Sequence, residues 1–196
     1  MTTDPKLWWY VARASGLTAW AVAGLSVVLG LALSGRTLGK NPTGPWLLDL
    51  HRFLGALAVV FTGVHIGGTV ADSYVHFGLA DVLVPLASGW RPGAVAWGVV
   101  GLYLLVAIEI SSYLRKRLSK RVWHAVHLSS VPLYVVSTLH LFTAGHDAST
   151  RPVRLLAVLM TSTAVFFLTY RIAAGKPAAK RPPRTLPARS PTKSAA

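Results

Sequence analysis

The chain contains 196 residues, of which 53% are hydrophobic and only 13% are charged. This composition is too apolar for an ordinary soluble domain and for a disordered chain. The sequence has no cysteine, which excludes disulfides, thiolate metal sites and iron–sulfur clusters. Lys and Arg number 20 against 6 Asp and Glu, a net charge of +14. The class that remains is a membrane protein.

Five segments are long and apolar enough to cross a bilayer, which takes roughly 20 helical residues. They span approximately 8–33, 47–70, 94–113, 122–143 and 153–170. The sequence therefore predicts an all-α fold, a polytopic membrane bundle of five transmembrane helices within residues 1–173. A shorter apolar stretch at 77–90, interrupted by Pro85, predicts an interfacial or re-entrant piece.

The basic residues predict the orientation, because Lys and Arg are retained on the cytoplasmic side. With the loop between spans three and four inside, 15 basic residues lie inside and five outside. We therefore expect a multi-pass protein of the cell membrane, with its N-terminus outside and its C-terminus in the cytoplasm. Residues 174–196 are expected to form a disordered polybasic tail. The charge then serves topology and contact with anionic lipid, not nucleic-acid binding.

Four of the seven histidines form two pairs within the predicted spans, where an imidazole without a partner is costly. His51 and His65 lie on span two, roughly 21 Å apart along the helix, and His127 and His140 lie on span four, about 20 Å apart. No single metal ion bridges such distances. Two facing helices, however, bring one histidine from each to the same depth, twice. We therefore expect His51 to face His127 and His65 to face His140, each pair suited to axial ligation of a flat macrocycle.

The helical angles agree with this pairing on one span only. Fourteen steps from His51 fall about 40° short of full turns, so His51 and His65 share a face. Thirteen steps from His127 fall about 140° short, so a regular helix would not point both rings one way. Pro132 lies between them, and we expect it to allow a kink or altered winding. His124 is a competing ligand one turn before His127.

Three further residues near these histidines are candidates for supporting roles. Gly55, one turn after His51, would let a porphyrin approach the backbone; ordinary helix packing explains it equally well. Arg52 would neutralise a haem propionate or act as a snorkelling anchor. For Glu109, an ion pair with the basic cluster that begins at Arg115 is favoured over a role in proton transfer.

These residues resemble the ferric reductase-like transmembrane domain, the family of ferric reductases and NADPH oxidases. The resemblance covers about residues 8–170 and depends on the His51–His65 and His127–His140 gaps. The sequence around them, His51-Arg52-Phe53-Leu54-Gly55 and Trp123-His124-Ala125-Val126-His127, is a weaker signal. The resemblance implies two b-type haems stacked across the bilayer, bound by the four histidines, and electron flow to an acceptor outside.

The flavin- and nicotinamide-binding domains of larger relatives have no counterpart in this sequence, so the expected donor is a separate flavin reductase or a membrane quinol. We therefore expect the electron-transfer haem subunit of an oxidoreductase, a membrane cytochrome b whose partners include the lipid bilayer and an extracytoplasmic acceptor protein. The alternative is a cofactor-free polytopic membrane transporter or assembly protein, whose histidines would serve protons or substrate.

Overall fold

The computed structural model describes residues 6–35 and 45–173, which contain helices and no strand. In chain order the helices are α1 (Leu7–Gly35), α2 (Pro45–Ala71), α3 (Leu79–Leu83), α4 (Pro92–Tyr113), α5 (Lys120–Leu128), α6 (Ser130–Ala144) and α7 (Arg151–Ala173). A short 3-10 turn, His146–Ser149, joins α6 to α7. The predicted tail and residues 36–44 lie outside the described residues.

Five helical spans are long and apolar enough to cross a membrane, with α5 and α6 together forming the fourth. The predicted all-α bundle of five transmembrane helices is thus confirmed over the described residues. In the apolar 18-residue stretch of each span, only 17% to 28% of the residues are buried inside the protein. Most of the apolar side chains therefore face outward, as expected of helices surrounded by lipid rather than by water.

The helices pack as two antiparallel pairs held together by α1. α1 packs along α2, α4 packs along α6, and α1 also contacts α6 and α7. The helix α2 does not pack closely on α5 or α6 within the described residues. A space therefore separates α2 from the fourth span, and this space is where the candidate site lies.

The largest buried cluster joins α1, α6 and α7, and it contains two of the few polar anchors of the interior. Its buried members are Trp20, Val27, Leu31, Tyr134, Leu141, Ala157 and Met160. The Trp20 indole donates to Thr138 Oγ1 at 3.0 Å, and the hydroxyls of Tyr134 and Thr161 lie 3.0 Å apart. These bonds satisfy polar groups that would otherwise be exposed to hydrocarbon. They fix the register of the three helices.

The two ends of the bundle differ in character. The basic end, where α1, α4 and α7 finish, carries Arg171, which donates to Ser34 Oγ at 3.1 Å. The loop end carries α3 and the 3-10 turn. There Arg13 and Asp147 form a two-point ion pair, and Arg91 donates to the Thr143 carbonyl oxygen at 3.0 Å.

The segment at 77–90 contains a five-residue helix, α3, followed by turns. It lies against α4, and the Tyr103 hydroxyl donates to the Leu83 carbonyl oxygen. Tyr103 is eleven residues into α4, about 16 Å along its axis. The segment therefore folds back along a membrane helix, consistent with the interfacial or re-entrant piece expected from the sequence.

The fourth span breaks at Ser129, three residues before Pro132. α5 ends at Leu128, and Ser129 closes a tight turn by donating its N–H to the Val126 carbonyl oxygen at 3.0 Å. Pro132 has no N–H for the Leu128 carbonyl, so a continuous helix would lose a bond at this point. The expected departure from regular winding is confirmed, and the structure places it at Ser129.

The backbones of α1 and α2 approach closely at Gly68, where an added Cβ would lie 2.9 Å from the Ala12 nitrogen. A Cβ at the neighbouring Gly67 would meet nothing within 4 Å. We predict that Gly68→Leu forces the two helices apart and lowers the free energy of unfolding by about 1–3 kcal/mol. Thermal unfolding in detergent measures this loss. Gly67→Leu is the matched control, and equal melting temperatures for the two variants would contradict the assigned contact.

Candidate functional site

Two pairs of histidine rings face each other across the space between α2 and the fourth span. The ring centroids of His51 and His127 are 5.9 Å apart, with an angle of 75° between their planes. Those of His65 and His140 are 6.2 Å apart, at 76°. The predicted pairing is confirmed for both. All four side chains are partly buried, and no hydrogen bond joins the two rings of either pair in the described part of the chain.

The separation of the rings matches that of two imidazoles on opposite sides of one metal ion. A bond from an imidazole nitrogen to such an ion is about 2 Å long, and that nitrogen lies roughly 1 Å from the ring centre. Two rings bound in line therefore have centroids about 6 Å apart. Within the described ranges no group of three or more His, Cys, Asp or Glu is placed to hold a bare ion. Two ligands for each ion fit a macrocycle that supplies the other ligands itself.

Three of the four rings are tethered through Nδ1 to a backbone carbonyl oxygen. His65 Nδ1 lies 2.7 Å from the Ala12 oxygen, His51 Nδ1 lies 3.0 Å from the Ser26 oxygen, and His140 Nδ1 lies 2.8 Å from the Ala94 oxygen. A carbonyl only accepts, so Nδ1 carries the proton and Nε2 of the neutral ring keeps its lone pair. Histidines that bind a metal ion through one ring nitrogen commonly donate the N–H of the other nitrogen to a carbonyl oxygen in this way.

Each of these three carbonyls is followed four residues later by a glycine that contacts the same ring. An added Cβ would lie 2.7 Å from His65 at Gly16, 3.1 Å from His51 at Gly30 and 2.8 Å from His140 at Gly98. In a helix, residue i+4 lies over the carbonyl of residue i. Only glycine leaves room there for an imidazole to reach the oxygen, so the tether requires both positions.

The spacing of these contacts repeats along the helices. Gly16 and Gly30 on α1 are fourteen residues apart, as are His51 and His65 on the antiparallel α2. On α4, Gly98 contacts His140, and Ser112, also fourteen residues away, places its hydroxyl 3.4 Å from His127 Nδ1. Sequence reasoning missed these partners. The equal glycine and histidine intervals were the signal that could have found them.

The His51–His127 pair has a further neighbour that the sequence did not indicate. The Trp123 ring stacks on His127, with centroids 5.0 Å apart and planes 21° apart, and the Arg115 guanidinium lies 4.6 Å over the Trp123 ring. Trp123 Nε1 is buried and has no hydrogen-bond partner in the described part of the chain. A buried indole N–H normally finds an acceptor. An unmatched donor beside this pair fits a bound group that carries a carboxylate.

The other sequence candidates lie around the pairs rather than in them. His124 is exposed, with Nε2 3.5 Å from Arg171, so His127 and not His124 faces His51. Arg52 is exposed and pairs with Asp49 at 3.2 Å. The space over Gly55 is filled by the Glu109 carboxylate, whose Oε1 would lie 3.0 Å from an added Cβ.

The expected ion pair of Glu109 with the basic cluster is wrong for the described residues. The ion pairs found there are Arg13–Asp147 and Arg52–Asp49. Glu109 points instead toward α2, because Gly55 leaves room for its carboxylate.

Comparison with known proteins gives one match. The family model described as "Ferric reductase like transmembrane component" matches residues 15–138, more than half of the chain. The chain belongs to the ferric reductase-like transmembrane family. The matched range contains His51, His65 and His127 and ends two residues before His140. No curated protein and no solved structure matches the chain.

Membership in this family confirms the resemblance to the ferric reductase-like transmembrane domain that the sequence indicated. The family is, in general, a haem-binding membrane domain that transfers electrons. The two opposed imidazole pairs, the free Nε2 atoms and the unmatched Trp123 N–H are all compatible with haem. The residues present therefore fit the cofactor that the family implies.

The glycine tether predicts a sensitive position on α4. We expect Gly98→Ala to push the His140 ring off the Ala94 carbonyl, because the new methyl would lie 2.8 Å from its Cε1 atom. Loss of such a second contact weakens metal binding by about 10–100-fold, so haem retained per chain should fall, as measured by absorbance after purification. Gly93→Ala, where a Cβ meets nothing within 4 Å, is the control. Full haem retention in Gly98→Ala would contradict the tether.

Proposed function

We propose that the protein is a b-type cytochrome that holds two haems, one between His51 and His127 and one between His65 and His140. The observation that carries this proposal is the pair of facing imidazoles at two depths, 5.9 and 6.2 Å apart. Bound haem iron accepts and releases one electron at a time. The four Nε2 atoms would bind the haem irons.

The protein's own residues would set the orientation and the surroundings of each haem. The carbonyl tethers hold three rings in one tautomer, so their Nε2 atoms need no rearrangement to bind iron. The Trp123 N–H would donate to a propionate at the His51–His127 site, and Arg115, stacked on the same indole, would offset its charge. Arg52, paired with Asp49, lies on the surface and remains a second candidate for that charge.

The direction of electron flow follows from the orientation expected of the chain. The basic end carries Arg115, Lys116, Arg117, Lys120, Arg121 and Arg171 and would face the cytoplasm. The His51–His127 pair is the nearer pair to that end. Electrons would enter there from a separate flavin reductase or a quinol. They would leave from the His65–His140 pair to an extracytoplasmic acceptor.

Removal of a single histidine tests the assignment of two separate sites. We expect His65→Ala to lose the haem of its own pair and keep the other, because the His51–His127 pair lies roughly 21 Å away along α2. Haem per chain should fall from about two to about one, measured by iron and absorbance on purified protein. His146→Ala, at an exposed histidine outside both pairs, is the control. Unchanged haem content in His65→Ala would contradict the pairing, and wild-type protein without haem would favour the cofactor-free alternative.

The N–H of Trp123, which has no acceptor among the described residues, gives a second test. We expect Trp123→Phe, which keeps an aromatic ring and removes the N–H, to weaken haem binding at the His51–His127 site. A hydrogen bond to a charged group contributes about 1.5–3 kcal/mol, so transfer of haem to apomyoglobin should be about tenfold faster or more for one of the two haems. Trp46→Phe, at an exposed tryptophan of α2, is the control. Equal haem-transfer rates in the Trp123→Phe and wild-type proteins would show that the N–H does not contact the cofactor.

A further inference from the structure

Glu109 is a carboxylate inside a membrane span without a protein partner in the described part of the chain. It lies on α4 four residues before Tyr113, about 6 Å from the end of the helix. Its side chain is partly buried, and no hydrogen bond or ion pair reaches it from residues 6–35 and 45–173. A carboxylate in hydrocarbon is costly unless a donor meets it. The Glu109 carboxylate is therefore a hydrogen-bond acceptor that has no donor among the described residues.

The carboxylate lies close to one of the histidine pairs. Its Oε1 occupies the space over Gly55, which is four residues, about 6 Å, from His51 on α2. Residues four apart share one face of a helix. A molecule bonded to Glu109 would therefore lie about one helical turn from His51 along α2.

The space in front of Glu109 is an apolar groove between α2 and α4 that opens sideways. Its volume is about 600 Å³. Its walls are formed by Ala56, Val59 and Val60 on α2 and by Ile110 and Tyr113 on α4. α2 and α4 touch little, so the groove separates them. Its mouth faces outward from the bundle, where lipid surrounds the other apolar side chains of these helices.

We propose that this groove binds the head group of a membrane hydroquinone, with one hydroxyl donating to the Glu109 carboxylate. A hydroquinone has a flat apolar ring, a hydroxyl donor and an isoprenoid tail that stays in lipid, which together match the groove. A phospholipid ammonium also donates to carboxylates, but its bulky phosphate belongs at the interface, above the depth of Glu109. This inference rests on the proposed function, since it names the class of electron donor for the His51–His127 pair.

The chemistry balances with the groups already named. Oxidation of one hydroquinone to the quinone releases two electrons and two protons. Glu109 takes the proton of the hydroxyl bonded to it, and the second proton passes to water at the basic end. The two electrons would pass one at a time to the haem that His51 and His127 would hold, which would give up the first electron to the haem of the other pair before it takes the second. Glu109 then releases its proton to water at the basic end, and the quinone, which has no hydroxyl to donate to the restored carboxylate, leaves the groove.

Binding of a hydroquinone and of its methylated analogue tests the inference. The probes are tritiated 2-decylhydroquinone and its dimethyl ether, retained anaerobically by nanodiscs that contain the chain, above empty nanodiscs. We expect saturable binding of the hydroquinone. The dimethyl ether, which has no donor, should bind at least about tenfold more weakly. Glu109→Leu, which leaves no acceptor at this position, should abolish this discrimination.

Two alanine variants control for the groove itself. Ala56→Phe fills the groove and should abolish saturable binding, whereas Ala107→Phe, at an exposed position of α4 outside its lining, should leave binding unchanged. Binding without saturation, or discrimination that survives Glu109→Leu, overturns the inference. So does Glu109-dependent retention of phosphatidylethanolamine, which would assign the groove to lipid. Haem is measured on the same samples: haem without hydroquinone binding overturns this inference alone, and absence of haem overturns the proposed function.

Discussion

The constraint on which this structure depends is the burial of four imidazole rings in a membrane bundle. Each ring needs a partner for both nitrogens, because hydrocarbon offers none. One nitrogen of three rings is satisfied by a helix carbonyl exposed by a glycine four residues later. The other nitrogen of these rings, Nε2, has no hydrogen-bond partner among the described residues. The architecture follows from this need: α1 lies against α2 to tether two rings, and α4 lies against the fourth span to contact the other two.

The break in the fourth span is part of the same constraint. The two contact positions on α4, Gly98 and Ser112, are fourteen residues apart, but His127 and His140 are separated by thirteen. A regular helix would turn one of these rings away from α2 by about 140°. The tight turn at Ser129, which Pro132 favours, interrupts the helix and lets both rings face their partners. The interrupted helix therefore positions both histidines of the fourth span for the site.

Much of the fold and the pairing of the histidines follows from the sequence, because both depend on strong periodic signals. Apolar length predicts the five spans, and matched histidine intervals on two spans predict which rings meet. The tethers were not predictable in the same way. Their acceptors are backbone carbonyls of Ala12, Ser26 and Ala94, which every residue type possesses, so the sequence marks them only indirectly, through a glycine four residues after each.

The wrong expectation for Glu109 and the missed contact of Trp123 also have physical explanations. Glu109 was expected to pair with the nearby basic cluster, since opposite charges close in sequence attract. The space over Gly55 draws its carboxylate toward α2 instead. Trp123 stacks on His127 from four residues earlier on the same helix, α5, so its spacing was a signal that could have found this contact. The direction of the Glu109 side chain, unlike span length, depends on a contact distant in sequence.

Electron paramagnetic resonance of the oxidised, purified protein tests the central claim most directly, because the signal of ferric haem reports its axial ligands. The account predicts two low-spin ferric species, each with two imidazole ligands and ring planes far from parallel, as the 75° and 76° angles require. Absence of a ferric haem signal, or a high-spin signal from iron with a single histidine, would contradict it.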